Sequence, residues 1–280
     1  MKLCFRNFEF DFLKKTYLMG ILNVTPDSFF DGGRYFSVKD AIDHVIRMID
    51  EGADIIDIGG ESTRPGAEPV TVDEELKRVI PVIEAVSKKV SVPISIDTYK
   101  ARVAEVAIQA GATIVNDISG LRFDPQMPEI VNKYRVPVIV MHIKGTPRDM
   151  QKNPSYNALI PEIIEYLRES IVIAKNAGIQ ENMIIIDPGI GFGKLPEHNL
   201  EIIKKLKDFT HLGKPILIGV SRKSFIGKVL NDAPPEDRLE GTAAAVVASI
   251  LNGANIVRVH DVGFMYKVVK MADAIKFGVC

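Results

Sequence analysis

One repeating unit constrains this chain more than any other feature. The stretches "EGADIIDIGG" (51–60), "AGATIVNDISG" (110–120), "NAGIQENMIIIDPG" (176–189) and "NGANIVRVHD" (252–261) share a design. A helical stretch stops at a glycine, which tolerates the left-handed conformation past a helix end. A short linker follows, then a β-branched run, then a polar residue where the run stops. Between these copies, "YLMGILN", "VPISIDT", "VPVIVMH" and "KPILIGVSR" supply four more apolar runs. Strands are therefore expected near 17–23, 54–58, 93–97, 113–117, 137–141, 183–187, 215–220 and 255–259. Apolar residues at three- and four-residue spacing place helices over 38–51, 73–89, 100–110, 158–177 and 241–252, among others. The strand runs are continuously apolar, the pattern of parallel strands covered on both faces. Eight such units in roughly 250 residues have the rhythm of a (β/α)8 TIM barrel. The chain is read as a single domain over 1–280, with long loops after strands 1 and 2. A doubly wound open sheet is the alternative, but a glycine-rich fingerprint after its first strand is missing.

Bulk properties narrow the partners. With 35 basic and 36 acidic side chains, no global field attracts nucleic acid or an anionic membrane. Cys4 and Cys280 read as free thiols in a reducing, cytoplasmic setting. Glu9 and Asp11 interrupt any signal-peptide core, and no apolar run approaches the ~18 residues of a membrane span.

In such a barrel, chemistry belongs to the loops at the carboxyl ends of the strands. Those ends carry Asn23, Gly59, Asp97, Asn116, Met141 with His142, Asp187, the Ser221-Arg222-Lys223 run, and Arg258 with His260. Asp97, Asn116 and Asp187 suit a flat heterocycle that presents N–H donors. For Asp97, capping the following helix stays an open alternative, whereas Pro188 and Gly189 after Asp187 argue for a fixed turn and a functional carboxylate. Lys223, Arg258, His260 and Arg64 offer donors to an anion, and Arg222 reads as a solvated loop charge. A lone Lys223 would also serve as a Schiff-base lysine if burial depressed its pKa. The rim thus divides into an acceptor side and a donor side. The loops "NVTPDSFFDGGRYFS" and "GGESTRPGAEPVT" exceed the usual βα connection and read as lids. In "IIIDPGIGFGK" a dinucleotide fingerprint would need Gly at 194, where Lys194 sits. A phosphate loop would need Gly at Pro188 and Ser or Thr at Leu195. Asp187 is the informative residue of that stretch.

Eight motifs together carry a resemblance. "GILNVTPDSFFDGGRYF", "GGESTRPGA", "SIDTYK", "VNDISG", "MHIKGTP", "IDPGIGFGK", "GVSRKSFIG" and "RVHDV", in this order from Met19 to Val262, resemble the dihydropteroate synthase family. Phe30 and Lys144 depart from the usual pattern. The resemblance implies condensation of 6-hydroxymethyl-7,8-dihydropterin diphosphate with 4-aminobenzoate, giving dihydropteroate and diphosphate. It implies pterin contacts from Asp97, Asn116, Asp187 and Lys223, with Ile118 and Met141 as apolar walls. Thr63, Arg64, Arg258 and His260 fall to the diphosphate, and Asn23 to a Mg²⁺ ion that accompanies it. Pro26, Phe29, Phe192 and Ser224 fall to the aminobenzoate pocket. Asp97, Lys223, Arg258 and His260 form the implied catalytic set, and the implied assembly is a homodimer. The rivals are a pterin-dependent methyltransferase barrel, a Schiff-base aldolase using Lys223, and a non-catalytic pterin-binding regulator. "TAAAVVASILNGA" (242–254) is expected to face the core, and the first sixteen residues carry no readable function.

Overall fold

The computed structural model describes residues 1–25 and 38–278. Eight parallel strands form one sheet: β3 (Tyr17–Asn23), β4 (Ile55–Gly59), β5 (Ile94–Asp97), β6 (Ile114–Asp117), β7 (Val138–Met141), β8 (Ile184–Asp187), β9 (Leu217–Ile218) and β10 (Ile256–Val259). They pair in the order β8-β7-β6-β5-β4-β3-β10-β9, and a bridge between Ile186 and Ile216 closes the ring. The fold is the expected (β/α)8 barrel. Around it run α1 (Val38–Asp50), α2 (Val72–Ser87), α3 (Ala101–Ala110), α4 (Met127–Tyr134), α5 (Leu159–Asn176), α6 (Pro196–Lys204), α7 (Ser224–Val229), α8 (Leu239–Leu251) and α9 (Val262–Phe277).

Local chemistry explains where these elements stop. Helix α2 begins at Thr71, whose hydroxyl accepts from the Glu74 N–H, and Asp73, Glu74 and Glu75 complement its N-terminal partial charge. The seventh barrel strand, expected over 215–220, narrows to Leu217–Ile218. Pro215 has no N–H to donate, and the Ile216 N–H goes to the Asn255 side chain at 2.9 Å, so the ladder starts late. In α8, Thr242, Val246, Ser249 and Ile250 are buried, as expected for a core face.

The first residues have a structural task that the sequence left unread. Strands β1 (Lys2–Phe5) and β2 (Phe8–Asp11) pair antiparallel. Their Leu3, Phe5 and Phe10, with Phe12, pack on Tyr17, Met19, Ile55, Ile114, Ile139, Ile185, Leu217 and Ile256. That second group lies near the amino ends of the barrel strands and points inward, so the hairpin is a plug under the barrel. A larger apolar cluster fills the space between sheet and helices. None of the described helices is long and apolar enough to cross a membrane.

Candidate active site

The two-residue period of a strand carries the barrel interior from an apolar floor to a polar mouth. One inward step above the floor residues Ile55, Ile114, Ile139, Ile185 and Ile256 come Asp57, Asn116, Met141, Asp187 and Arg258. Asp97 occupies the equivalent place on β5, two residues beyond the buried Ser95. The chain therefore buries charge in one layer of an otherwise apolar barrel.

That layer is cross-linked. The Arg258 Nε donates to Asp57 Oδ2 at 2.6 Å and its Nη2 donates to Asp97 Oδ2 at 2.7 Å. Asn116 Nδ2 donates to the same Asp57 oxygen at 3.1 Å. A carboxylate only accepts, so this bond turns the Asn116 NH2 toward Asp57 and leaves its amide oxygen as a further acceptor. Asp187 Oδ1 accepts the Gly189 N–H at 2.7 Å. The Lys223 Nζ lies 4.4 Å from the centroid of the Phe192 ring, a cation–π distance.

Burial and neighbouring charge tune these groups. Asp97 is lifted well above the carboxylate range, first by desolvation; Arg258 opposes the shift, while Asp57 and Glu75 add to it. Asp187 is pushed up to about 6 by desolvation, against the Gly189 N–H and the charges of Lys223, Lys194 and Arg258. Lys223 is pushed down to about 8, first by burial and then by Arg258, with Asp187 and Asp97 holding its proton on. His260 lies beyond the end of β10, and its Nδ1 sits 3.0 Å from Ser221 Oγ. Its residue surface is exposed, yet desolvation and then the Arg258 charge hold the imidazole below its ordinary value. Asp261 opposes the shift, and the positive charges of Lys223 and Arg222 add to it.

Apolar walls flank the charged layer. Ile118, Met141, Ile143 and Met150 form their own cluster with Tyr99 and Phe192 against it. Phe192 belongs to the "DPGIGFGK" loop, which is held from several sides. Gln151 Nε2 donates to the Gly191 carbonyl at 2.7 Å, and the Tyr156 hydroxyl donates to the Gly193 carbonyl at 2.7 Å. Lys194, 2% exposed, donates to the Phe192 carbonyl at 3.0 Å and meets His142 Nδ1 at 2.8 Å. Desolvation pushes the Lys194 pKa well below its ordinary value, while the Asp187 charge opposes that shift. A side chain at Gly189 would put its Cβ 1.9 Å from the His142 carbonyl oxygen, so only glycine fits there. The residue also has φ +73°.

The loop after β4 is anchored by Glu61. This side chain accepts from Val70 N at the far end of the loop, from the Tyr99 hydroxyl at 2.6 Å and from Lys100, which also bonds the buried Glu75. Gly66 N reaches across to the Pro147 carbonyl at 2.9 Å. Thr63 on this loop is half-buried and Arg64 exposed. Asn23 ends β3 half-buried, and Ser224 opens α7 exposed. Pro26, Phe29 and Phe30 lie outside the described residues.

Two expectations are corrected, and one open alternative is closed. The donor and acceptor sides do not stand apart, because Arg258 is bonded to Asp97 itself; a buried guanidinium needs counter-charges. Arg222 is not a solvated loop charge: it makes a two-pronged ion pair with Asp261 at 2.8 and 2.6 Å. Asp97 does not cap α3, whose first N–H, at Ala101, goes to Asp124 Oδ2 at 2.8 Å. The sequence reading also passed over Asp57, Glu61, Glu75, Lys100 and Lys194. Asp57 had a signal, since it shares inward parity with Ile55.

Among the described residues, no group of three or more His, Cys, Asp or Glu side chains could hold a metal on protein ligands alone.

A parallel barrel with buried acceptors, cations and apolar walls at one mouth defines a binder of a flat, polar ring. The chain belongs to the pterin binding enzyme family, whose profile matches residues 19–260. Within it, the chain is 54% identical over 261 residues to a dihydropteroate synthase of Bacillus subtilis, covering 93% of this chain and 89% of that one. Its fold superposes with a TM-score of 0.93 on a Yersinia pestis dihydropteroate synthase solved with a sulfonamide drug, at 42% identity and 99% coverage of both chains. A Xanthomonas albilineans dihydropteroate synthase in complex with 7,8-dihydropteroate gives 0.88 at 38% identity, again covering 99% of both.

Proposed function

We propose that this protein condenses 6-hydroxymethyl-7,8-dihydropterin diphosphate with 4-aminobenzoate to give 7,8-dihydropteroate and diphosphate, with residues 1–280 acting as one domain. The observation that carries this reading is the single buried layer in which Asp97, Asn116 and Asp187 meet Lys223 and Arg258. Asp97, Asn116 and Asp187 accept from the ring N–H groups, Lys223 donates to the ring, and Ile118 and Met141 wall its faces. The fall of Lys223 to about 8 fits either role. Its place beside Asp187, Asp97 and the Phe192 ring favours a donor to the bound ring, and borohydride trapping with a carbonyl substrate would reveal a Schiff base instead.

Thr63, Arg64, Arg258 and His260 take the diphosphate. In the chemical step the aminobenzoate nitrogen bonds the pterin methylene carbon, the carbon–oxygen bond to diphosphate breaks with its electrons on the leaving oxygen, and the amine then loses a proton. Charge stabilisation of the leaving group is the main task of the protein, supplied by Arg258 and the neighbouring donors. Asp97 and Asp187 offset positive charge that builds on the ring. Mg²⁺ takes most of its ligands from phosphate and water, so the single Asn23 amide oxygen fits as its protein ligand, and the ion would neutralise diphosphate charge. Phe192 and Ser224, with Pro26 and Phe29, hold aminobenzoate.

The assembly is a homodimer, supported by the exposed apolar side chains Leu251, Phe264, Met271 and Ile275 on the adjacent α8 and α9. The free, exposed Cys4 supports a reducing compartment, the cytoplasm. A coupled assay for diphosphate tests the reaction: release that depends on 4-aminobenzoate supports it. Methyl transfer from a pterin, or release indifferent to the amine, overturns it. Light scattering at twice the mass of the chain supports the dimer, and a monomer mass removes it.

A further inference from the structure

Asp57 lies in the charged layer, yet nothing in the proposed reaction requires it to touch a substrate. Its side chain is 0% exposed, against 12% for Asp97 and 20% for Arg258. The two carboxylates that share Arg258 are therefore not equivalent. Asp97 is open enough for a ligand to compete for it, whereas Asp57 sits beneath. The guanidinium is planar, and Asp57 holds it by Nε at 2.6 Å while Asp97 holds Nη2 at 2.7 Å. Fixing Nε sets the hinge about which the two Nη groups turn. Asn116 Nδ2, at 3.1 Å from the same Asp57 oxygen, keeps that carboxylate from rotating. The bonds join β4 to β6 on one side and to β10 on the other, across the barrel interior.

We infer that Asp57 is a positioning residue that keeps hold of Arg258 through Nε while a bound pterin diphosphate takes over Asp97 and the outer face of the guanidinium. Asp57 is thus the permanent counter-ion and Asp97 the exchangeable one. This rests on the proposed reaction for its kinetic readout.

The test combines a mutant cycle with one measurement on the unaltered protein. Asp57→Asn keeps the shape and removes the charge. It should lower kcat/KM for pterin diphosphate on the order of 10- to 100-fold and leave the aminobenzoate KM within about threefold. In an Arg258→Ala background the same substitution should cost less than about a further threefold. A full, additive loss there overturns the inference, because Asp57 would then act on something other than Arg258. In the unaltered protein, the Arg258 Nε–H resonance, identified by its loss in Arg258→Ala, should exchange slowly with solvent. It should stay slow when 6-hydroxymethylpterin and inorganic diphosphate are added. Fast exchange, or loss of the signal on adding these ligands, overturns the inference even if Asp57→Asn does not fold. An unaltered protein without amine-dependent diphosphate release overturns the proposed reaction instead, and the Nε–H signal still decides on Asp57.

Discussion

Asp187 is a carboxyl held up to about 6 from an ordinary 3.8 by burial. A carboxyl raised in this way favours the folded state when protonated. Its contribution is whole below the unfolded value and is lost as pH rises through about 6. Asp187→Asn removes that loss, so its melting temperature relative to the unaltered protein should climb between roughly pH 4 and pH 6 and level off above about pH 7. The same variant should weaken pterin binding, since ring donors left unpaired in a buried site cost about 1–3 kcal/mol each. Calorimetry at several pH values checks both. Kinetics should show these groups at work. The proposed chemistry needs ionised Asp97 and Asp187 and protonated Lys223, so kcat/KM for pterin diphosphate should fall below about pH 6 to 7 and again above about pH 8. A flat profile across that range contradicts these roles.

Among the elements, the loop between β8 and α6 decides where Phe192 stands. Its carbonyls at Gly191, Phe192 and Gly193 are taken by Gln151, Lys194 and Tyr156, so it is built against the loop after β7. Gly189→Ala would set a Cβ into the His142 carbonyl and strain a backbone at φ +73°. The expected cost is roughly 1–3 kcal/mol or more, read as a lower melting temperature, with a larger loss in aminobenzoate-dependent turnover. Unchanged stability would mean that the loop and the β7 connection move apart freely. The sequence showed the three glycines and excluded a phosphate loop, but the tethers join residues up to 52 positions apart and leave no local trace.

At the scale of the whole molecule, the amino-terminal hairpin plugs the barrel end opposite the mouth, with one apolar floor layer between it and the charged layer. Phe10, 5% exposed, is one of its largest buried side chains. Phe10→Ala should destabilise the protein by about 3–5 kcal/mol while kcat and both KM values stay put. Denaturant unfolding set beside steady-state kinetics checks this, and a large change in KM would show that plug and mouth are coupled. The short amphipathic strands "KLCF" and "FEFD" look unremarkable alone, because their apolar faces have no partner until the barrel floor exists.

The sequence by itself determined the strand–helix rhythm, hence the barrel, and with it the end of the barrel where Asp97, Asn116, Asp187, Lys223 and Arg258 gather. Periodicity and strand polarity are local properties, and a barrel of parallel strands turns them into place without further information. Which charges touch was decided only by the tertiary structure. Arg258 and Asp57 stand 201 residues apart in the chain and 2.6 Å apart in the barrel, and Arg222 pairs with Asp261. A buried charge is stable only beside its counter-charge, and closure of the ring chose those partners.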